Sequence, residues 1–133
     1  MKTPLKAAAA ALILASAYSP FVALSQWQGI NRTDLERNDL SVPGREVIQV
    51  LVEFAPGVAA PNHSHPGEEI AYVIEGSLEY ALEGRPPVTL NAGDSVFIPA
   101  GIPHAVRNLG SGNAVELATY IVEKGQPLLT LVD

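Results

Sequence analysis

The chain contains no cysteine. Disulfide bridges, thiolate metal sites, a cysteine nucleophile and a lipid-modified cysteine are therefore excluded. Methionine occurs only as Met1, so the rest of the chain offers no easily oxidised sulfur. Basic residues are scarce: eight Lys and Arg face 14 Asp and Glu, for a net charge of −6. That balance supplies no basic face, and no nucleic-acid partner is expected. Sustained helical spacing, internal repeats, low-complexity tracts and linkers are also lacking. What remains is 133 residues, enough for one domain and short for two. With 47% hydrophobic and 17% charged residues the composition is globular.

The front of the chain differs from the rest. Lys2 and Lys6 precede an apolar run from Ala7 to Ala15, and the next charge is Arg32. Ser16, Ser19 and Pro20 interrupt the run, well short of the ~20 apolar residues that a bilayer-spanning helix needs. Ala23-Leu24-Ser25 then sets small residues just before Gln26. This is the pattern of a secretory signal segment, residues 1–25, cleaved ahead of Gln26. It predicts a periplasmic or secreted product that meets the membrane only transiently. The remaining 108 residues would carry six bases against 14 acids, a net charge of −8.

Residues 26–44 are polar and mixed, with Trp27, the charged stretch Arg32–Arg37 and Pro43-Gly44. They read as an extended N-terminal arm holding at most a short strand. From residue 45 to 133, short β-type segments alternate with turn signals. Glu46–Phe54 ends at Pro56-Gly57, and Ile70–Glu75 ends at Gly76. Leu78–Leu82 ends at Glu83-Gly84-Arg85-Pro86-Pro87, and Val88–Leu90 at Asn91-Ala92-Gly93. Ser95–Ile98 ends at Pro99-Ala100-Gly101, His104–Arg107 near Gly110, and Ala114–Glu123 is the longest run. Strands at this spacing predict an all-β sandwich or barrel.

The three histidines are His63, His65 and His104. On a strand, His63 and His65 share a face, and Glu69 follows four residues beyond His65. Three imidazoles and a carboxylate suit one divalent first-row metal: Fe, Mn, Co, Ni, Cu or Zn.

The frame around these residues carries a resemblance. Gly57-(five residues)-His63-Ser64-His65-(three)-Glu69-(six)-Gly76 resembles the first motif of the cupin superfamily. Gly93-(five)-Pro99-Ala100-Gly101-(two)-His104-(three)-Asn108 resembles the second. Sixteen residues lie between them, short as in compact bacterial cupins. The resemblance implies a double-stranded β-helix, the jelly-roll cupin barrel. It implies the metal ligands His63, His65, Glu69 and His104, one metal per chain. It also implies a homodimer, since small cupins commonly pair and the arm has no obvious place in a lone barrel.

Four protein ligands on an octahedral metal would leave two positions for a small organic molecule, water or O₂. Glu69 is the ligand able to leave the metal and act as a base. Ala71 and Val73, in phase with Glu69, and Val106, in phase with His104, predict an apolar pocket. Phe97, Tyr80 and Tyr120 are further candidates for its walls. No Arg or Lys falls in phase with the ligands, which argues against a polyanionic substrate. Asn108 reads as a turn-former beside Gly110. No second acid or base is evident beyond the ligands, which favours a metalloenzyme of dioxygenase type. A non-redox lyase, isomerase or decarboxylase and a non-catalytic binding module use the same residues.

Overall fold

The computed structural model describes residues 27–133. The expected signal segment, residues 1–25, lies outside them. Ten strands and no helix occur among the described residues. They are β1 (Ile30–Asp39), β2 (Arg45–Phe54), β3 (Ala59–Ser64), β4 (Gly67–Glu75) and β5 (Ser77–Leu82), followed by β6 (Val88–Asn91), β7 (Ser95–Ile98), β8 (His104–Arg107), β9 (Ala114–Glu123) and β10 (Thr130–Leu131). One sheet has the order β1-β2-β9-β4-β7 and the other β10-β3-β8-β5-β6. Every pairing is antiparallel. Two such sheets facing one another make the all-β jelly roll.

Alternation along the strands builds the core between the sheets. On β2, Glu46, Ile48, Val50, Val52 and Phe54 face inward. On β9 the inward set is Ala114, Glu116, Ala118, Tyr120 and Val122. The facing sheet contributes Leu78, Tyr80, Leu82 and Val106, all buried. Burial of each large apolar side chain contributes about 1.5–3 kcal/mol. Glu46 is tolerated because Arg37 grips both its oxygens, at 2.8 and 3.2 Å.

Residues 30–39 are not a loose arm. They form the ten-residue edge strand β1, paired along its length with β2 from Ile30↔Phe54 to Asp39↔Glu46. The inward row across the sheet at this level is Arg32, Val52, Glu116 and Val73. An edge strand needs little apolar alternation, because only its first residues reach the core: Ile30 is buried, and residues 33–39 are exposed. The arm therefore has a place in a single barrel, which removes one ground for expecting a dimer.

Two glycines fix the strand that carries Glu69. Gly76 ends β4 with φ +74°, and a side chain there would press on the Asn113 carbonyl oxygen at 2.7 Å. Gly67 opens β4, and an alanine methyl there would lie 2.0 Å from the Ile121 carbonyl oxygen. The missing side chain lets β4 approach β9, which sets Glu69 beside Tyr120.

Candidate metal centre

His63 stands near the end of β3, His65 just beyond it, and His104 opens β8. The register places His63 directly opposite His104. A shift in the pairing between Ala60 and His63 turns the end of β3 toward the core. Glu69 comes from β4 in the opposite sheet, so the four side chains meet across the barrel interior. All four are buried. One ring nitrogen from each of His63, His65 and His104 lies within 4.8 Å of the others, a cluster able to hold a metal ion.

Each imidazole is oriented by a backbone carbonyl. His63 Nδ1–H donates to Pro61 O at 2.6 Å, His65 Nδ1–H to Leu128 O at 2.7 Å, and His104 Nδ1–H to Ile102 O at 2.9 Å. A carbonyl only accepts, so Nδ1 carries the hydrogen and Nε2 is left as the lone-pair donor. This is the outer arrangement that metal-ligating histidines require. The C-terminal segment thus takes part in the site through Leu128, and β10 holds that segment beside His63 and Ser64.

The Nε2 atoms then meet Glu69. Its Oε2 lies 3.0 Å from His65 Nε2 and 3.2 Å from His104 Nε2. Despite this closeness, His65 Nε2 and Glu69 Oε2 have no hydrogen-bond partner. Two lone pairs facing each other at this distance need a cation between them, either a proton or a metal ion. Adjacent ligands of an octahedral ion with bonds of about 2.1 Å are themselves about 3.0 Å apart. The donor set, its spacing and its orphaned atoms fit a divalent metal.

The electrostatics point the same way. Burial alone would raise Glu69 and lower His104. The contact between them overrides both, so Glu69 falls below the usual carboxylate range and His104 rises. Burial, reinforced by the charges of His104 and His65, holds His63 at about 3. His63 is therefore neutral and available as a ligand. A metal bound through these atoms would take the place of a proton between His104 and Glu69.

A pocket of about 280 Å³, counting its open mouth, leads to His63, His104 and Glu69. Val106 and Tyr120 line it. Ala71 and Val73 do face the same side as Glu69, but they are packed wholly within the core. Phe97 is not a pocket residue: it is 54% exposed, and it pairs with outward-facing Ile70. The run Ser95-Val96-Phe97-Ile98 has no polar alternation to reveal which residues point inward, and Ile98 proves to be the buried one.

Two wall residues correct the apolar pocket expected from the sequence. Glu116 from β9 is a second buried carboxyl group, and Arg32 from β1 is a cation on the same wall. Burial, then the charge of Glu69, raises Glu116 to about 8 against the opposing pull of Tyr80 and Arg32. Tyr80 donates its hydroxyl hydrogen to Glu116. Arg32 Nη2 donates to the Tyr120 hydroxyl at 3.4 Å. Burial pushes both Tyr80 and Tyr120 far above the usual phenol range, so both stay protonated. Glu116 was legible: it stands in phase with Ala114, Ala118, Tyr120 and Val122. Arg32 was not, because only the pairing Arg32↔Val52 brings it inward.

Asn108 is more than a turn-former. Its Nδ2 donates to Phe54 O, Ala55 O and Gly112 O, and its Oδ1 accepts from Gly110 N. Wholly buried, it ties the end of β2 to the β8–β9 turn.

The family model of the cupin domain matches residues 50–122. The chain belongs to the cupin family. This cupin is 46% identical over 57 residues to dimethylsulfoniopropionate lyase DddQ of Ruegeria pomeroyi, which is 43% of this chain and 28% of the lyase. The solved structure of that lyase superposes with a TM-score of 0.59 at 32% identity, covering 65% of this chain and 43% of the lyase chain. A germin-like protein of Morus alba is 37% identical over 86 residues, 61% of this chain and 40% of the relative. An oxalate oxidase, solved with the substrate analogue glycolate, superposes with a TM-score of 0.63 at 27% identity, covering 78% of this chain and 55% of the oxidase. This cupin spans less than half the length of the lyase and of the germin-like protein.

Proposed function

We propose that this cupin is a metal-dependent enzyme acting on a small organic molecule, by proton transfer of the lyase or isomerase kind. The observation that carries this reading is the meeting of two functions in one pocket. The pocket opens onto the cluster at His63, His104 and Glu69, and it is also lined by Glu116, a carboxyl group held protonated by its surroundings. A divalent ion bound there would act as a Lewis acid on a substrate oxygen. His63, His65 and His104 would hold it through Nε2, with Nδ1 anchored to the backbone. Glu116 would hold a proton at the pocket wall and exchange it with the substrate, while Tyr80 fixes its carboxyl plane. The likeness to a lyase supports this chemistry.

A dioxygenase-type reaction with a redox metal is the second reading, favoured by the likeness to an oxalate oxidase. The test loads the protein with Fe(II), Mn(II) or Zn(II) in turn. Each form is offered keto acids, hydroxy acids, β-diketones, catechols, flavonols and dimethylsulfoniopropionate, with O₂ uptake and product mass followed together. Product without O₂ uptake is expected, and Glu116→Gln is expected to lower turnover at least about 100-fold with metal content unchanged. Metal-dependent O₂ uptake would favour the dioxygenase reading. Saturable binding without product in every form would make the protein a binding module.

We further propose export through residues 1–25 and a homodimer. The Lys2/Lys6 start and the Ala7–Ala15 run support export. The outer face of the β4–β7 edge supports self-association, since Ile70, Tyr72, Ile74 and Phe97 are all exposed there. Intact mass of the secreted product, expected to start at Gln26, and light scattering at micromolar concentration check the two.

A further inference from the structure

Arg32 is a cation without an ion-pair partner among the described residues. It lines the pocket with Glu69, His63 and His104. Its hydrogen bond runs from Nη2 to the neutral Tyr120 hydroxyl, and it lies 5.9 Å from the centre of the Tyr120 ring. Among the described residues it forms no ion pair: the four ion pairs belong to Arg37, His65, His104 and Lys124. Arg32 is partly buried, and taking a charge part-way out of water without a counter-ion carries a cost that an anionic ligand would relieve. Burial works against the Arg32 charge, and Tyr120 foremost, with the carboxyl groups at a distance, outweighs it; no carboxylate forms an ion pair with Arg32 among the described residues. Glu69 is turned to the histidine nitrogens, and Glu116 Oε2 to the Tyr80 hydroxyl.

Charge across the pocket decides what the missing partner is. The imidazoles are neutral when they ligate. A divalent ion, Glu69 and Arg32 together leave an excess of positive charge, and this holds even with Glu116 ionised. A guanidinium presents five donors in a planar fork that matches a carboxylate. The pocket is narrow, walled by bulky side chains such as Trp27, Phe54 and Tyr120, and so favours a molecule of few heavy atoms.

We propose that Arg32 and Tyr120 form a carboxylate seat beside the metal cluster, so that the substrate class is small organic acids. The acid would place its carboxylate on Arg32, its functional carbon toward Glu116 and a further oxygen toward the cluster. This deepens the enzyme reading above and rests on it for the word substrate, but the seat itself is a binding property. Arg32 is then a specificity-determining residue drawn from the edge strand β1.

Trp27 provides the readout. It is the only tryptophan of the chain, lines the pocket and packs edge-on against His63 at 5.5 Å. Tryptophan fluorescence of the Zn(II)-loaded full-length chain is titrated with glycolate and with its neutral analogue glycolamide. The same titrations are repeated with Arg32→Gln and Arg32→Lys, after circular dichroism and metal content have been matched to wild type. Glycolate is expected to bind at least about tenfold more tightly than glycolamide in wild type. That preference should vanish in Arg32→Gln, and Arg32→Lys should retain part of it. Equal affinities for acid and amide in wild type would overturn the seat without recourse to any variant. So would an undiminished preference in Arg32→Gln, or no saturable signal with glycolate, lactate and acetate alike. Failure of turnover in every metal form, with the Arg32-dependent preference present, refutes the enzyme reading and leaves the seat standing. Turnover of acids that is indifferent to Arg32 does the reverse.

Discussion

Replacing His104 by alanine is expected to remove most of the divalent metal while the two sheets stay folded. His104 Nε2 faces Glu69 at 3.2 Å, and its ring lies 4.3 Å from that of His63, centre to centre. Its loss takes away one imidazole and one of the two histidine nitrogens that face Glu69 Oε2. Loss of a merely supporting group around a metal costs about 10–100-fold in affinity, so loss of a ligand should exceed about 100-fold. The backbone does not depend on this side chain, since the β3–β8 and β5–β8 ladders pass through main-chain atoms. His65→Ala should behave alike and also free the Leu128 carbonyl of its partner. Metal per chain by elemental analysis, with the chelator-sensitive rise in melting temperature, measures the effect. A ligand present at about 1,000 times its Kd stabilises the fold by about 4 kcal/mol, so the variants should lose a large shift. Equal metal in wild type and both variants would refute the assignment.

The four cluster residues could be named from sequence because each falls at a ligand position of two short motifs that resemble those of cupins. The spacing puts His63 and His65 on one strand face, and the resemblance to the two cupin motifs adds Glu69 and His104. The pattern of β-type segments between turn signals recovered Ser95–Ile98, His104–Arg107 and Ala114–Glu123 with their observed bounds. It failed where structure depends on a partner strand. Residues 26–44 read as an extended arm with at most a short strand, and only the long pairing with β2 makes Ile30–Asp39 a ten-residue strand. Strand β3 carries Pro61 in a polar setting, and β10 has two residues; neither has a pattern of its own. The pocket suffered most from this limit. The residue that places positive charge in it lies 31 positions before the first histidine and enters only through sheet register. Glu116 lies on a strand that alternation had found. The rule that an in-phase carboxyl among apolar residues is buried would have revealed it.

Folding stability of the metal-free protein should fall between about pH 5 and pH 8, and Glu116→Gln should remove much of that fall. Glu116 is buried, and its carboxyl is raised from 4.5 to about 8, chiefly by burial and next by the charge of Glu69. Between these two values the folded chain holds a proton that the unfolded chain has released. Stability therefore decreases as pH rises through this window, while below 4.5 both states are protonated and Glu116 has no effect. At about 1.4 kcal/mol per pH unit the full difference approaches roughly 5 kcal/mol. Glutamine has nearly the same shape, still accepts the Tyr80 hydroxyl hydrogen and has no proton to lose. Other groups titrate in the same range: the raised His104 also favours folding at lower pH, and the lowered His63 does the opposite. Both are present in wild type and variant, so the difference between the two stability curves isolates Glu116. Urea denaturation at half-unit pH steps with chelator present measures it. The variant should match wild type near pH 4.5 and exceed it progressively toward pH 8. Loading with Zn(II) should shrink the gap, because a divalent ion offsets the Glu69 charge that helps to hold Glu116 protonated. Parallel curves for the two proteins across the whole range would mean that Glu116 ionises freely in the fold, and its role as the pocket's proton carrier would fall with that result.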